Sequence, residues 1–130
     1  MAVEDQVREA VERVVAAFGA GRLDEYFGSF HPDSTFVFHT ENRRLESVDD
    51  YRRLWERWVD EDGFEVLGCW TADPRIQVWG DVAVVTHTVF TKSRTREGEN
   101  DRRERETIVL ARQADGRWLG IHEHLSPWEE

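Results

Sequence analysis

The amino-acid sequence predicts an α+β domain, a curved antiparallel sheet wrapped around N-terminal helices to give a cone with one pocket. Three observations lead there. Apolar residues recur at helical three-and-four spacing only as far as Asp60. Runs of β-branched and aromatic residues fill most of the remainder. The last two runs, 106–112 and 117–127, meet at the corner Asp115-Gly116, where glycine supplies the positive φ of a return turn. This hairpin is expected in the middle of the sheet.

From Val3 to Phe18, Val7, Val11, Val14, Val15 and Phe18 form one helical stripe, closed by Gly19 and Gly21. A short second helix, with Asp24 as its cap, carries Tyr26, Phe27 and Phe30 and stops at His31-Pro32. Thr35–Thr40 reads as the first strand of a short hairpin turning at Glu41–Arg44. Ser47 and Asp50 make an acidic variant of a capping box, opening a third helix whose apolar face is Val48, Tyr51, Leu54, Trp55, Trp58 and Val59. Cys69–Trp79 reads as a long strand with a bulge or an edge position near Pro74, which lacks an amide donor. After the corner Gly80-Asp81, the run 82–91 does not alternate apolar with charged residues, so both of its faces are expected to be covered, one by helices and one by a second subunit. The segment 92–105 has no apolar residue and is expected as an exposed hairpin tip. Strict alternation along the final strand would put Trp118, Gly120, His122 and His124 on one face and Leu119, Ile121, Glu123 and Leu125 on the other.

The chain of 130 residues suffices for one domain, 1–130. Its 17 basic and 27 acidic residues give a formal charge of −10, which argues against nucleic-acid and anionic-membrane partners. A lone cysteine, Cys69, excludes an intrachain disulfide and fits a reducing compartment. The acidic start of the chain is unlike a signal peptide, and a cytoplasmic protein is expected. Phosphate loops, nucleophile elbows and His-Glu-x-x-His runs are absent from the sequence, and no cofactor is implied.

The order of elements, the ending Asp115-Gly116-Arg117-Trp118 with Ile121-His122-Glu123-His124-Leu125-Ser126, the early Gly21–Asp24 and the corner Gly80-Asp81 resemble the nuclear transport factor 2-like superfamily. Within it the chain is most similar to the SnoaL-like group and to the association domain of calcium/calmodulin-dependent protein kinase II. The resemblance implies the cone fold and a homodimer through the convex sheet face. It leaves activity open, since the fold hosts isomerases, cyclases, dehydratases and hubs. The pocket arginines of the kinase domain are matched here by Thr88, Ile108 and Leu125, and the strand-end acid of the steroid isomerases by Phe38 and His39.

The same correspondence implies that Thr86, Thr88, Phe90, Ile108, Leu110, Ile121, Glu123 and Leu125 face inward and His87, His122 and His124 outward. Glu123 is then a desolvated carboxyl suited to proton transfer near neutral pH, with structural pairing as the competing role. His39 is a second candidate base. Tyr51 is a hydrogen-bond donor, Trp55 and Trp70 are pocket walls, and Thr88, Ile108 and Ile121 complete the ligand-binding set. His122 and His124 are candidate metal ligands with His39 or His87, yet they lack a third ligand nearby, and no metal is expected. The functional expectation is a pocket for a small organic molecule with isomerase-, cyclase- or dehydratase-like acid/base chemistry. The alternative is a non-catalytic oligomerisation or ligand-sensing module.

Overall fold

The computed structural model describes residues 2–129; Met1 and Glu130, the ends of the expected domain, lie outside them. Three helices, α1 (Val3–Gly19), α2 (Leu23–Gly28) and α3 (Val48–Arg57), come with five strands, β1 (Phe30–Phe38), β2 (Glu65–Trp79), β3 (Val82–Thr95), β4 (Gly98–Arg112) and β5 (Trp118–Pro127). The strands form one curved sheet in the order β1-β5-β4-β3-β2, with β4 central. No helix among the described residues is long and apolar enough to cross a membrane.

α1 follows its sequence stripe: Val7, Ala10, Val11, Val14 and Ala17 are buried, and Gly21, at φ +71°, makes the left-handed exit. α2 ends earlier than expected, at Gly28, and Arg22 rather than Asp24 holds its N-cap position. Phe30 already belongs to β1, which runs through His31-Pro32. A proline is tolerated there because β1 is an edge strand.

The expected early hairpin is not formed. β1 pairs in parallel with β5, and only the bridge Phe36–Leu45 remains of an antiparallel return. Buried Phe30, Phe36 and Phe38 join the helices in the aromatic core, so tertiary packing settles where the strand goes. α3 begins as predicted, with the Ser47 side chain accepting the Asp50 amide. Past Arg57 the turns widen into a π-helix, Trp58–Asp62, which Gly63 closes at φ +66°.

β2 is the other edge strand, and its register shifts between Ala72 and Arg75, around Pro74. β3 and β4 form a long hairpin arm that turns at Arg96-Glu97, with β2 paired along β3 as far as Arg94. Arg96 ties the arm to the π-helix: its backbone amide donates to the Asp62 carbonyl at 2.8 Å, and its guanidinium to the Glu61 and Asp60 carbonyls at 2.6 and 3.2 Å. The segment 92–105 is a hairpin tip with most of its residues exposed, as expected, but Glu104 within it is buried. β3 alternates buried with accessible residues, so within the chain only one of its faces is covered.

Candidate active site

β5 carries one residue more than β4 between the pairs Gly120–Leu110 and His122–Val109. Ile121 is that extra residue. The bulge breaks strict alternation, so Trp118, Gly120 and Glu123 are all buried on the concave side. Gly120 is required by packing, since a Cβ there would lie 2.5 Å from the Phe30 ring.

Beyond the bulge the concave face changes from aliphatic to acidic. Ile108 and Leu110 on β4 are followed, at strand spacing, by Glu106 and Glu104, both buried. Glu123 lies opposite Ile108 and is only 2% exposed. The three carboxyl groups line a cavity of about 590 Å³ with Tyr26 from α2, Tyr51 from α3, Trp58 and Asp62 from the π-helix, and Cys69 from β2. Glu106 bonds the His87 Nε2 at 2.5 Å, and Glu104 bonds the His39 Nε2 at 2.6 Å. Neither imidazole is part of the cavity lining; each stands behind its carboxylate.

Burial raises the Glu123 pKa well above the ordinary glutamate range, and the charge of Glu106, a shared hydrogen bond with it and the charge of Glu104 add to the shift. Two neighbouring carboxyls can share such a bond only by holding a proton between them. The Tyr26 and Tyr51 hydroxyls are 2.9 Å apart and bond each other. Burial, and then the nearby Glu123 charge, raises both phenols above their usual range, so both are protonated donors. Burial also pushes the Cys69 thiol up to about 12, too high for a nucleophile near neutrality.

Of the sequence candidates, Glu123 and Tyr51 meet in this cavity. His39 reaches it only through Glu104. Trp55 is buried beside it, edge-on to Phe27 and Phe64, without lining it. Trp70 is 53% exposed and stacks on Phe90. The expected facing of β3 is reversed: Val85, His87 and Val89 are buried inward, and Thr86, Thr88 and Phe90 turn outward. The run 82–91 is nearly apolar at both parities, so it contains nothing to set the phase. Thr88 therefore lines a separate outer hollow with Arg105, His124 and Trp128. Ile108 is fully buried in the aliphatic core, and Ile121 sits in the bulge.

His122 and His124 face outward as expected, their rings 6.4 Å apart, with His122 Nδ1 2.8 Å from the Thr35 hydroxyl. Burial and the neighbouring His124 lower the His122 pKa. Among the described residues no group of three or more His, Cys, Asp or Glu is arranged to hold a metal.

Tyr26, Glu104 and Glu106 were not singled out from the sequence, and His87 entered there only as an outward-facing candidate metal ligand. A signal for the glutamates exists: Ile108 and Leu110 fix the inward parity, and stepping back by two gives Glu106 and Glu104.

The SnoaL-like domain model matches residues 7–129. No curated protein sequence matches the chain. Among solved structures, a nuclear transport factor 2-like protein from Cytophaga hutchinsonii superposes with a TM-score of 0.82 at 16% identity, over 98% of this chain and 100% of that one. The CaMKII hub from S. rosetta gives 0.78 at 20% identity, over 98% of both chains. A protein from Catenulispora acidiphila in complex with S-DNPA gives 0.77 at 17% identity, over 93% of this chain and 90% of that one. These similarities show the nuclear transport factor 2-like fold. With the family model matching nearly its whole length, the chain belongs to the SnoaL-like domain family.

Proposed function

We propose that this single domain binds a small organic molecule in the concave cavity and moves a proton to or from it through Glu123. The observation that carries the reading is a carboxyl group 2% exposed, lining a cavity of about 590 Å³, with its pKa raised and two histidine-backed carboxylates beside it. A group that keeps its proton toward neutrality can deliver it to a ligand atom and, once ionised in a dry site, take one back. The Tyr26–Tyr51 pair supplies a donor for charge developing on a ligand oxygen. His39 and His87 hold Glu104 and Glu106 in place. The ligand complex of the Catenulispora protein supports a binding cavity in this fold.

The test is proton abstraction from an activated carbon acid, 5-nitrobenzisoxazole. The protein should accelerate its ring opening, with a rate that rises with pH through one ionisation and is lost in Glu123→Gln. Equal rates for the two proteins would remove Glu123 from the chemistry.

A second reading, a non-catalytic assembly module, draws on the outer face, where Trp79 is 69% and Trp70 53% exposed and Val82, paired with Trp79, is exposed as well. A second copy covering that face would give a homodimer, and the hub neighbour supports assembly as a use of this fold. Light scattering on the wild type and on Trp70→Ser/Trp79→Ser separates dimer, ring and monomer. The lone thiol and the acidic surface support a cytoplasmic protein.

A further inference from the structure

We propose that the cavity takes an organic cation, an ammonium carried on an apolar body that also bears an oxygen acceptor. The proposal rests on the small-molecule reading above and adds the ligand's charge.

Charge is distributed very unevenly around the cavity. The floor holds Glu104, Glu106 and Glu123, and the mouth holds Glu41, Asp62, Glu97 and Glu99. Among the described residues, the one cationic side chain in the lining is Arg102, which is exposed. Lys92, 3.6 Å from Glu99, is not in the lining. An anionic ligand would meet carboxylates from mouth to floor. A neutral apolar ligand would displace water from Glu104 on the side away from His39 and offer it nothing in return. A cation meets both needs, and the acidic mouth would draw it in.

The walls point the same way. Phe18, Tyr26, Phe38, Tyr51, Trp58 and Phe64 line the cavity, and their rings are set at angles rather than stacked. Trp58 stands at 64° to Phe64 and at 77° to Tyr51, with ring centroids 5.3 and 6.3 Å apart. Aromatic rings gathered around one space offer π density that attracts an ammonium without hydrogen bonds. The π-helix brings Asp62 to the same wall as Trp58.

An independent observation concerns the tyrosine pair. Two hydroxyls in one mutual hydrogen bond use one of their two protons. The other proton has no acceptor among the described residues, although both side chains are 3% exposed and line the cavity. An ether, hydroxyl or carbonyl oxygen on the ligand would accept it.

The experiment titrates the full chain by ligand-observed NMR with three probes that share a phenoxy body, the first two of one shape. They are (2-phenoxyethyl)trimethylammonium, its neutral carbon analogue 3,3-dimethylbutyl phenyl ether, and phenoxyacetate. The expected result is tighter binding of the cation than of the neutral analogue by about tenfold or more, with no binding of the anion. Glu104→Gln should remove most of that preference, weakening the cation and tightening the neutral probe, which then desolvates no carboxylate there. Should that variant fail to fold, the exposed pair Asp62→Asn/Glu97→Gln is expected to weaken cation binding at low salt and not at high salt. Equal or tighter binding of the neutral probe overturns the cation and leaves the small-molecule cavity standing. Binding of none of the three overturns both.

Discussion

β3, β4 and β5 run through two unlike halves of the concave face. At one end Ala83, Val85, Ile108, Leu110 and Trp118 pack against Val7, Ala10 and Val11 of α1 in an aliphatic core. At the other, the same strands present Glu106, Glu104 and Glu123 to a cavity under aromatic side chains, with His87 bonded behind Glu106. Backbone pairing is continuous across the change on β3 and β4 and is interrupted on β5 by one bulge. The sheet can therefore hold an acidic chamber because half of its inner surface is committed to ordinary packing. Stability and chemistry are separated along the strands.

The largest expected effect lies in the aliphatic half. Leu110→Ala should lower stability by about 2–5 kcal/mol in urea unfolding, with the cavity probes still bound by the folded fraction. A loss under about 1 kcal/mol would mean that this half is not what holds the sheet. At the boundary, Gly120→Ala forces a Cβ to within 2.5 Å of Phe30, and a cost of about 1–3 kcal/mol is expected as overpacking.

In the acidic half the expected effect depends on pH. The folded state raises the Glu123 pKa, through burial first and the Glu106 and Glu104 charges after it. Folded protein then holds a proton that the unfolded chain releases. This contribution is complete below the ordinary glutamate value and is lost as pH rises toward the raised one, at up to about 1.4 kcal/mol per pH unit. Glu123→Gln cannot ionise. Its urea midpoint should pull above that of the wild type as pH is raised from about 5 to about 8, and parallel curves would place the ionisable burden elsewhere. The smallest effect concerns the helix that roofs the cavity. Ser47→Ala removes the cap on the Asp50 amide and should cost about 1 kcal/mol, read as a uniform drop in thermal midpoint.

The elements that local chemistry decides were legible in the sequence: the stripe of α1, the Ser47 cap, the irregularity at Pro74 and the Asp115-Gly116 corner. What long-range packing decides was not. β1 joins β5 in parallel because three phenylalanines are buried with the helices, and nothing near Thr35–Thr40 announces that partner. The facing of β3 needed an alternation that its valines and threonines do not have. Glu104 lay hidden in a charged run because charge suggests solvent, although its parity with Ile108 pointed inward. Glu123 was found in spite of the bulge, since the mistaken phase for Trp118 and Gly120 does not extend to residues beyond it.

Ile121 gives β5 a counting rule with an unexpected corollary. Removing this residue would let the strand run straight while keeping every later side chain on its present side, so the chamber would retain its buried acid. Adding a residue just before Glu123 would do the reverse, sending that acid to the convex surface and turning His122 or its neighbour His124 inside. Shortening and lengthening by the same single step thus have opposite chemical outcomes, and only the second would exchange a carboxyl reagent for an imidazole.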